Sequence, residues 1–449
     1  MMQTRQVIKR DGSVVPYDIQ RIATAIYKAA ASLGGKDQEL SARLAHEVEE
    51  RLWDSTPQGS SASVEEIQDL VERVLVLRGH VQTAKAYILY RHRREQVRRG
   101  EIGQRIRGQV ETVPWKLLWR TLAWNAAHDC ETTGGLGRWV ERGELSQLIR
   151  QADAEYEKQL EWAAEEILDQ RDRVRVVIVA GPSSSGKTTT THKIASRLQA
   201  QGLELVAMNL DNYFRDLVLH PRDEFGDYDY ETPEALDLAL INRHLRQLLD
   251  GEAIRMPVYD FHTGKQALDQ IPLALNPNQV ILIDTLHGLS DDLTRTVPAE
   301  AKFKVYIETF SQLRMANQEF VRWTDVRLLR RMVRDASFRN HDPALTLGHW
   351  HYVRRAELKH IIPYLHTVDL TINGSVPYEL AVLKRRVQPY LQSVVDGYRD
   401  QPARGDAFIR GQRVAAMLEE IPVASEEDET AIASDGLMRE FIGGSTIRY

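Results

Sequence analysis

The 449-residue chain holds a single cysteine, Cys130. That excludes an intrachain disulfide framework and a cysteine-rich zinc site, and it suits a reducing compartment. No apolar run approaches the roughly 18 residues of a membrane span. The first residues, MMQTRQVIKRDG, carry no apolar signal core. Charge of one sign is scarce in excess: 58 Lys and Arg stand against 64 Asp and Glu, a net charge of -6. This disfavours a general binder of nucleic acid or anionic membranes. The expectation is a soluble, cytoplasmic protein with neither nucleic acid nor membrane as partner. What is present is an ordinary globular balance, 43% hydrophobic and 27% charged, which excludes a disordered chain. The length predicts two or three domains.

Residues 1–95 read as a small unit, a short hairpin followed by helices. Strands are expected at 6–9 and 14–17 around the turn Arg10-Asp11-Gly12-Ser13. Asp18 is placed to cap a helix bearing Ile19, Ile22, Ala23 and Ile26. Ser63 and Glu66 have capping-box spacing ahead of Ile67, Leu70, Val71 and Val74. Residues 96–172 read as a helical connector, with a charge-rich helix over about 148–171. Trp115, Trp119 and Trp124 are expected in core or interdomain packing.

From Val174 strands alternate with helices. Strands are predicted at 174–180, 204–209, 280–284, 302–308 and 368–372, several as unbroken apolar runs. That pattern predicts an α/β domain over 173–402, a parallel sheet with helices on both faces. Residues 403–449 read as a tail whose acidic run, Glu426 to Glu429, is a solvated loop.

The strongest motif is Gly181-Pro182-Ser183-Ser184-Ser185-Gly186-Lys187-Thr188, which fits G-x-x-x-x-G-K-[ST]. An apolar strand runs into it, a helical pattern runs out of it, and Gly202 marks that helix's end. Backbone N–H groups of such a loop surround phosphate at a helix N-terminus, where the dipole favours an anion. Lys187 is placed to reach the β- and γ-phosphates of a nucleotide, Thr188 to bind Mg2+, and Thr189 to contact an inner phosphate. The loop alone does not separate a kinase from an ATPase or GTPase.

Ligands of open α/β sheets lie beyond the carboxyl ends of strands. Asp211, after the 204–209 strand, is therefore a candidate to take or orient an acceptor hydroxyl's proton. Gly226-Asp227-Tyr228-Asp229-Tyr230-Glu231 and Pro257-Val258-Tyr259-Asp260-Phe261-His262 mix acids with aromatic faces. Such groups suit a polyhydroxylated, ring-bearing acceptor. Asp284 ends an apolar strand and is a second candidate for Mg2+. Arg327, Arg330, Arg331 and Arg334 share one helical face by spacing. That face is expected to act as a closing lid that neutralises transferred charge.

GPSSSGKTT (181–189), LDNYF (210–214), DYDYETPEALD (227–237), PVYDFHTGK (257–265) and RLLRRMVRD (327–335) together resemble the uridine kinase/phosphoribulokinase family. The likeness is closer to a divergent bacterial branch, through HWHYVRRAELKHIIPY, NGSVPYELAVLK and REFIGGS. The resemblance implies a nucleoside-monophosphate-kinase-like P-loop fold that phosphorylates the 5′-hydroxyl of uridine or cytidine. It implies Asp211 as the catalytic aspartate. It puts Asp229, Tyr259 and His262 near the acceptor and Arg327, Arg331 and Arg334 in the lid segment. The sequence departs from many uridine kinases at Asp284-Thr285, where those have Glu-Gly. Residues 5–95 resemble an ATP cone through VIKRDGSVVPYDIQRIATAI and VEEIQDLVERVL with AKAYILYR. That implies a regulatory ATP or dATP near Lys9, Arg10, Arg21, Ile22 and Lys85, and a homo-oligomer.

Three functions follow: an ATP-dependent nucleoside kinase adjusted by the cone; a kinase of another metabolite, such as a sugar phosphate or glycerate-type acid; or a nucleotide-sensing switch with slow ATPase activity. Asp211 and the arginine face favour a kinase. One cysteine is too few for a reductase's redox set or a four-cysteine ribbon.

Overall fold

The computed structural model describes residues 5–8, 14–55, 62–88, 113–222, 228, 230–261, 263–338, 341–401 and 404–447. The chain divides into two compact units, Met1–Val110 and Glu111–Tyr449.

In the first unit, β1 (Gln6–Ile8) pairs antiparallel with β2 (Val14–Pro16) and parallel with β3 (Ala62–Ser63). Asp18 accepts the Gln20 N–H and opens the helix Ile19–Ala31. Ser63 and Glu66 form the reciprocal capping box at the head of Val64–Leu77, satisfying donors that a helix start leaves orphaned. Helical spacing gathers Ile22, Ile26, Val48, Val71, Val74 and Leu75 into one core.

The second unit is built on a five-stranded, all-parallel sheet. Its strands are β4 (Val176–Ala180), β5 (Glu204–Ala207), β8 (Gln279–Thr285), β9 (Lys302–Glu308) and β10 (Leu370–Asn373), in the order β10-β9-β4-β8-β5. All five residues of β4 are buried. Val177 and Val179 pack with Tyr156, Leu160, Ile194 and Leu198 from the helices Leu145–Leu168 and Lys187–Ala200. Val176 and Ile178 pack against Ile241 and Leu245 of Leu238–Leu249 on the other face. The apolar runs thus mark strands covered on both sides. A buried aliphatic side chain contributes roughly 1.5–3 kcal/mol, so a polar substitution in β4 is costly.

A separate antiparallel hairpin, β6 (Ile254–Asp260) and β7 (Lys265–Leu273), was not foreseen. β7 is mostly exposed and carries little apolar alternation. Two expectations are corrected. The acidic run is a short helix, Glu426–Thr430, capped by Ser425 and Asp428, because acids in a first turn complement the helix dipole. Trp124 packs against the core as expected, whereas Trp115 and Trp119 are 61% and 71% exposed and are not core residues. They lie away from the inward face of Trp115–Ala127, whose buried members are Leu117 and Asn125. Residues 145–168 and 405–442 both contribute side chains to the core of the second unit. No described helix is long and apolar enough to cross a membrane.

Candidate phosphotransfer site

β4 ends at Ala180, at the point where its neighbours are β9 on one side and β8 on the other. The phosphate loop turns there into the helix Lys187–Ala200. Two of its glycines are required by space. A Cβ on Gly181 would lie 2.3 Å from the Ile307 carbonyl oxygen, and Gly186 has φ +98° with the Leu437 side chain against it. The Lys187 ammonium donates across the loop to the Pro182 carbonyl at 3.2 Å.

The loop is braced from behind. Arg330 donates to the carbonyls of Ser184 (3.4 Å), Ser185 (3.3 Å) and Gly374 (2.6 Å). Arg327 donates to the Ser183 carbonyl at 3.1 Å. With carbonyls turned toward arginines, successive peptide N–H groups are directed to the opposite side, the arrangement an anion needs.

These contacts correct the expectation of a charged closing face. The helix Trp323–Phe338 is largely buried, and Arg327 and Arg330 are 0% exposed. Arg327 pairs with Glu308 at 2.8 Å and with Glu357; Arg330 pairs with Glu379 at 2.7 Å. Arg327 is therefore held away from any acceptor. A run of arginines at helical spacing reads as a solvated face because its carboxylate partners are distant in sequence. Arg331 and Arg334 do meet the loop. Arg331 reaches the Ser183 hydroxyl at 3.0 Å and Glu231 at 2.8 Å; Arg334 reaches the Ser184 hydroxyl at 3.2 Å. Although burial works against charge, Glu231 and Asp335 hold the Arg331 guanidinium above its ordinary value.

Asp211 lies in the turn Leu210–Tyr213 after β5, where Asn209 accepts its backbone N–H at 2.9 Å. Asp284 is the penultimate residue of β8. Burial pushes the Asp284 carboxyl up to about 6, with Glu440 and Asp211 adding to the rise and Lys187 and the Thr188 hydroxyl opposing it. Burial lowers the Lys187 ammonium, against the attraction of Asp284 and Glu440. Lys187, Thr188, Asp211 and Asp284 thus share one electrostatic neighbourhood. Thr188 and Asp284 fit a divalent cation: a hydroxyl beside a buried carboxylate short of compensating charge. Among the described residues no group of three or more His, Cys, Asp or Glu gathers as a metal site.

Three residues beyond Asp211 begins an aromatic wall. Phe214 lies 5.5 Å from Tyr259, Tyr259 4.9 Å from Phe261, and His220 5.3 Å from Tyr230, between ring centroids. Asp216 accepts the Gln266 N–H at 2.8 Å and ties the wall to the hairpin. Tyr259 is in this cluster as a buried member; Phe261 and Tyr230 are its exposed faces. Asp229 and His262 lie outside the described residues, as do Lys9 and Arg10. Glu231 is engaged by Arg331, so it does not face an acceptor freely. In the first unit Arg21 is exposed and pairs with Asp18 at 3.5 Å. Lys85 is half-buried in the helical residues 81–88. Ile22 packs in the core of the first unit, on the helix face that the cap at Asp18 turns inward.

Sequence reasoning missed Glu440. Its carboxylate accepts from the Thr189 N–H (3.1 Å) and hydroxyl (2.8 Å). Only the REFIGGS segment hinted that this region mattered.

A sequence profile of the phosphoribulokinase/uridine kinase family matches residues 176–380, and one of the ATP cone domain matches residues 5–96. A uridine kinase of Deinococcus deserti is 30% identical over 200 residues, 44% of this chain and 86% of that protein. A uridine kinase of Halobacterium salinarum is 32% identical over 157 residues, 35% of this chain. The match spans 60% of that relative, less than two thirds of its length. A solved chain described as a possible uridine kinase from Bacillus stearothermophilus superposes with a TM-score of 0.29 at 21% identity, over 33% of this chain and 79% of that one. At that score the superposition adds nothing to the sheet order and loop geometry above.

Proposed function

The chain belongs to the phosphoribulokinase/uridine kinase family and carries an ATP cone domain, and from that premise we propose that it transfers the γ-phosphate of ATP to a hydroxyl of a nucleoside of the uridine or cytidine kind. The observation that carries this reading is the grouping of Lys187, Asp211 and Asp284 at the carboxyl ends of β4, β5 and β8, with Arg331 and Arg334 on the serines of the loop.

Lys187 holds the β- and γ-phosphate oxygens. Asp211 accepts the acceptor hydroxyl's proton as the hydroxyl oxygen bonds to the γ-phosphorus. The bond from that phosphorus to the β-bridging oxygen breaks, and ADP leaves. Arg331 and Arg334 neutralise charge on the transferred group. Thr188 and Asp284 would hold Mg2+, which would supply neutralisation of the phosphate charge. The aromatic wall of Phe214, Tyr259 and Phe261 supports a ring-bearing acceptor over a sugar phosphate, for which a basic pocket would be expected.

The ATP cone supports regulation by ATP or dATP, with a coupling on the order of 1–3 kcal/mol. Replacing Lys9 and Arg10 together by Ala removes the rate's dependence on added ATP or dATP; unaltered dependence refutes that regulatory role. The acceptor is tested by coupled ADP release with Mg-ATP over nucleosides, sugar phosphates and glycerate. Stimulation by uridine or cytidine, lost in Asp211→Ala, is expected. Stimulation by another compound replaces the acceptor, and no stimulation by any compound refutes the kinase reading.

A further inference from the structure

Thr189 is the third residue of the helix Lys187–Ala200. In a phosphate loop of this sequence its backbone N–H and hydroxyl serve the innermost phosphate. Here both donors are already taken. One oxygen of Glu440 accepts the Thr189 N–H at 3.1 Å and the Thr189 hydroxyl at 2.8 Å. Thr189 is buried at 0% exposure, and Glu440 is buried with it. Each donor has one hydrogen, and a carboxylate and a phosphate oxygen, both anionic, compete for it at the same place.

The carboxylate is delivered by a segment from 251 positions away in sequence, fastened at several points around the loop. Asp435 pairs with Lys193 at 2.6 Å, and Lys193 lies on the same helix as Thr189. Leu437 sits over Gly186, so close that a Cβ there would be 2.4 Å from the leucine Cδ1. The Phe441 ring lies under Arg330 at 4.7 Å and under Arg334 at 5.9 Å. Arg334 also faces the Glu440 carboxylate at 3.6 Å. The helix start has no local side-chain cap, since the residue before it is Gly186. Glu440 meets the need that phosphate would otherwise meet, with the same charge sign and the same two donors.

We propose that residues 435–442 form a self-inhibitory strap whose Glu440 carboxylate occupies the seat of the nucleotide's innermost phosphate, so that nucleotide binds only as the strap withdraws. Withdrawal of Glu440 also frees Arg334 from a carboxylate, leaving its charge to the phosphates. The device rests on the reading that the loop binds ATP, and it makes nucleotide affinity a property of the strap as well as of the loop.

Calorimetric titration of Mg-ADP into the full chain tests it, with wild type, Glu440→Gln, Glu440→Ala and Lys187→Ala. Glu440→Ala binds about tenfold more tightly than wild type, equivalent to about 1.4 kcal/mol. Glu440→Gln, neutral but still able to accept, falls between them. Equal or weaker affinity in Glu440→Ala, with wild type binding and Lys187→Ala not, overturns the strap and leaves the ATP reading standing. No binding by any form overturns both. Hydrogen exchange on the wild-type chain is the control against a variant that fails to fold. Saturating Mg-ADP speeds exchange in peptides over 432–447; unchanged or slower exchange there overturns the strap.

Discussion

Replacing Arg330 by Met separates a bracing arginine from a lid arginine. Arg330 is 0% exposed, and its one carboxylate partner among the described residues, Glu379 at 2.7 Å, is itself 2% exposed. Removing one member of a buried pair leaves an uncompensated charge, at a cost of about 3–5 kcal/mol. The carbonyls of Ser184, Ser185 and Gly374 also lose a charged donor. Glu379 keeps neutral duties through its other oxygen, accepting from the Ser375 hydroxyl (2.6 Å) and the Val376 N–H (3.2 Å). Glu379→Gln therefore removes charge while retaining an acceptor. Arg330→Met/Glu379→Gln should recover about 2 kcal/mol of the single variant's loss, since only unpaired carbonyls remain. Urea unfolding of the full chain, followed by tryptophan fluorescence, reads both variants. A solvated lid arginine would leave the unfolding curve in place and lower only the turnover. Destabilisation by Arg330→Met under about 1 kcal/mol, as for an exposed pair, refutes the bracing role.

Further outcomes are expected. Lys187→Ala abolishes phosphate transfer without shifting the thermal unfolding midpoint downward; unchanged turnover sinks the phosphate-loop role. Burial pushes the Asp153 carboxyl up to about 6, partly offset by the Tyr378 hydroxyl that donates to it at 2.5 Å. A raised carboxyl binds a proton more tightly folded than unfolded, so its contribution to stability is present below the unfolded value near 4 and lost as pH rises to about 6. Asp153→Asn should gain on wild type by at most about 3 kcal/mol between pH 4 and pH 7; parallel pH profiles contradict that. Ser63→Ala, which removes one half of the capping box, should cost the first unit about 1 kcal/mol, read from its own unfolding transition, and no loss would mean the cap is dispensable.

The parallel sheet was legible chiefly through β4 and β8, whose apolar runs read without partners, while β5, exposed at both ends, is read from its place between helices. The strand at 302–308 has the predicted bounds, and the one at 280–284 extends by a residue at either end. The phosphate loop was legible for a related reason: its chemistry is local, within eight consecutive residues. The roles of Arg327 and Arg330 were not, because what decides them is Glu308, Glu357 and Glu379, brought from three other elements. The same holds for Thr189, whose partner Glu440 is supplied by the opposite end of the unit. Charge on a helical stripe gives spacing but not what it faces, and Trp115 and Trp119 show the converse, large apolar rings left in solvent.

The most direct measurement follows radiolabelled γ-phosphate from Mg-ATP in the presence of uridine, with wild type beside Asp211→Asn. Wild type should place the label on a nucleoside monophosphate, and Asp211→Asn should do so at least about 100-fold more slowly, the usual loss when a positioned base is removed. Label appearing as inorganic phosphate at the same rate in both proteins, with or without uridine, would contradict a kinase whose proton acceptor is Asp211.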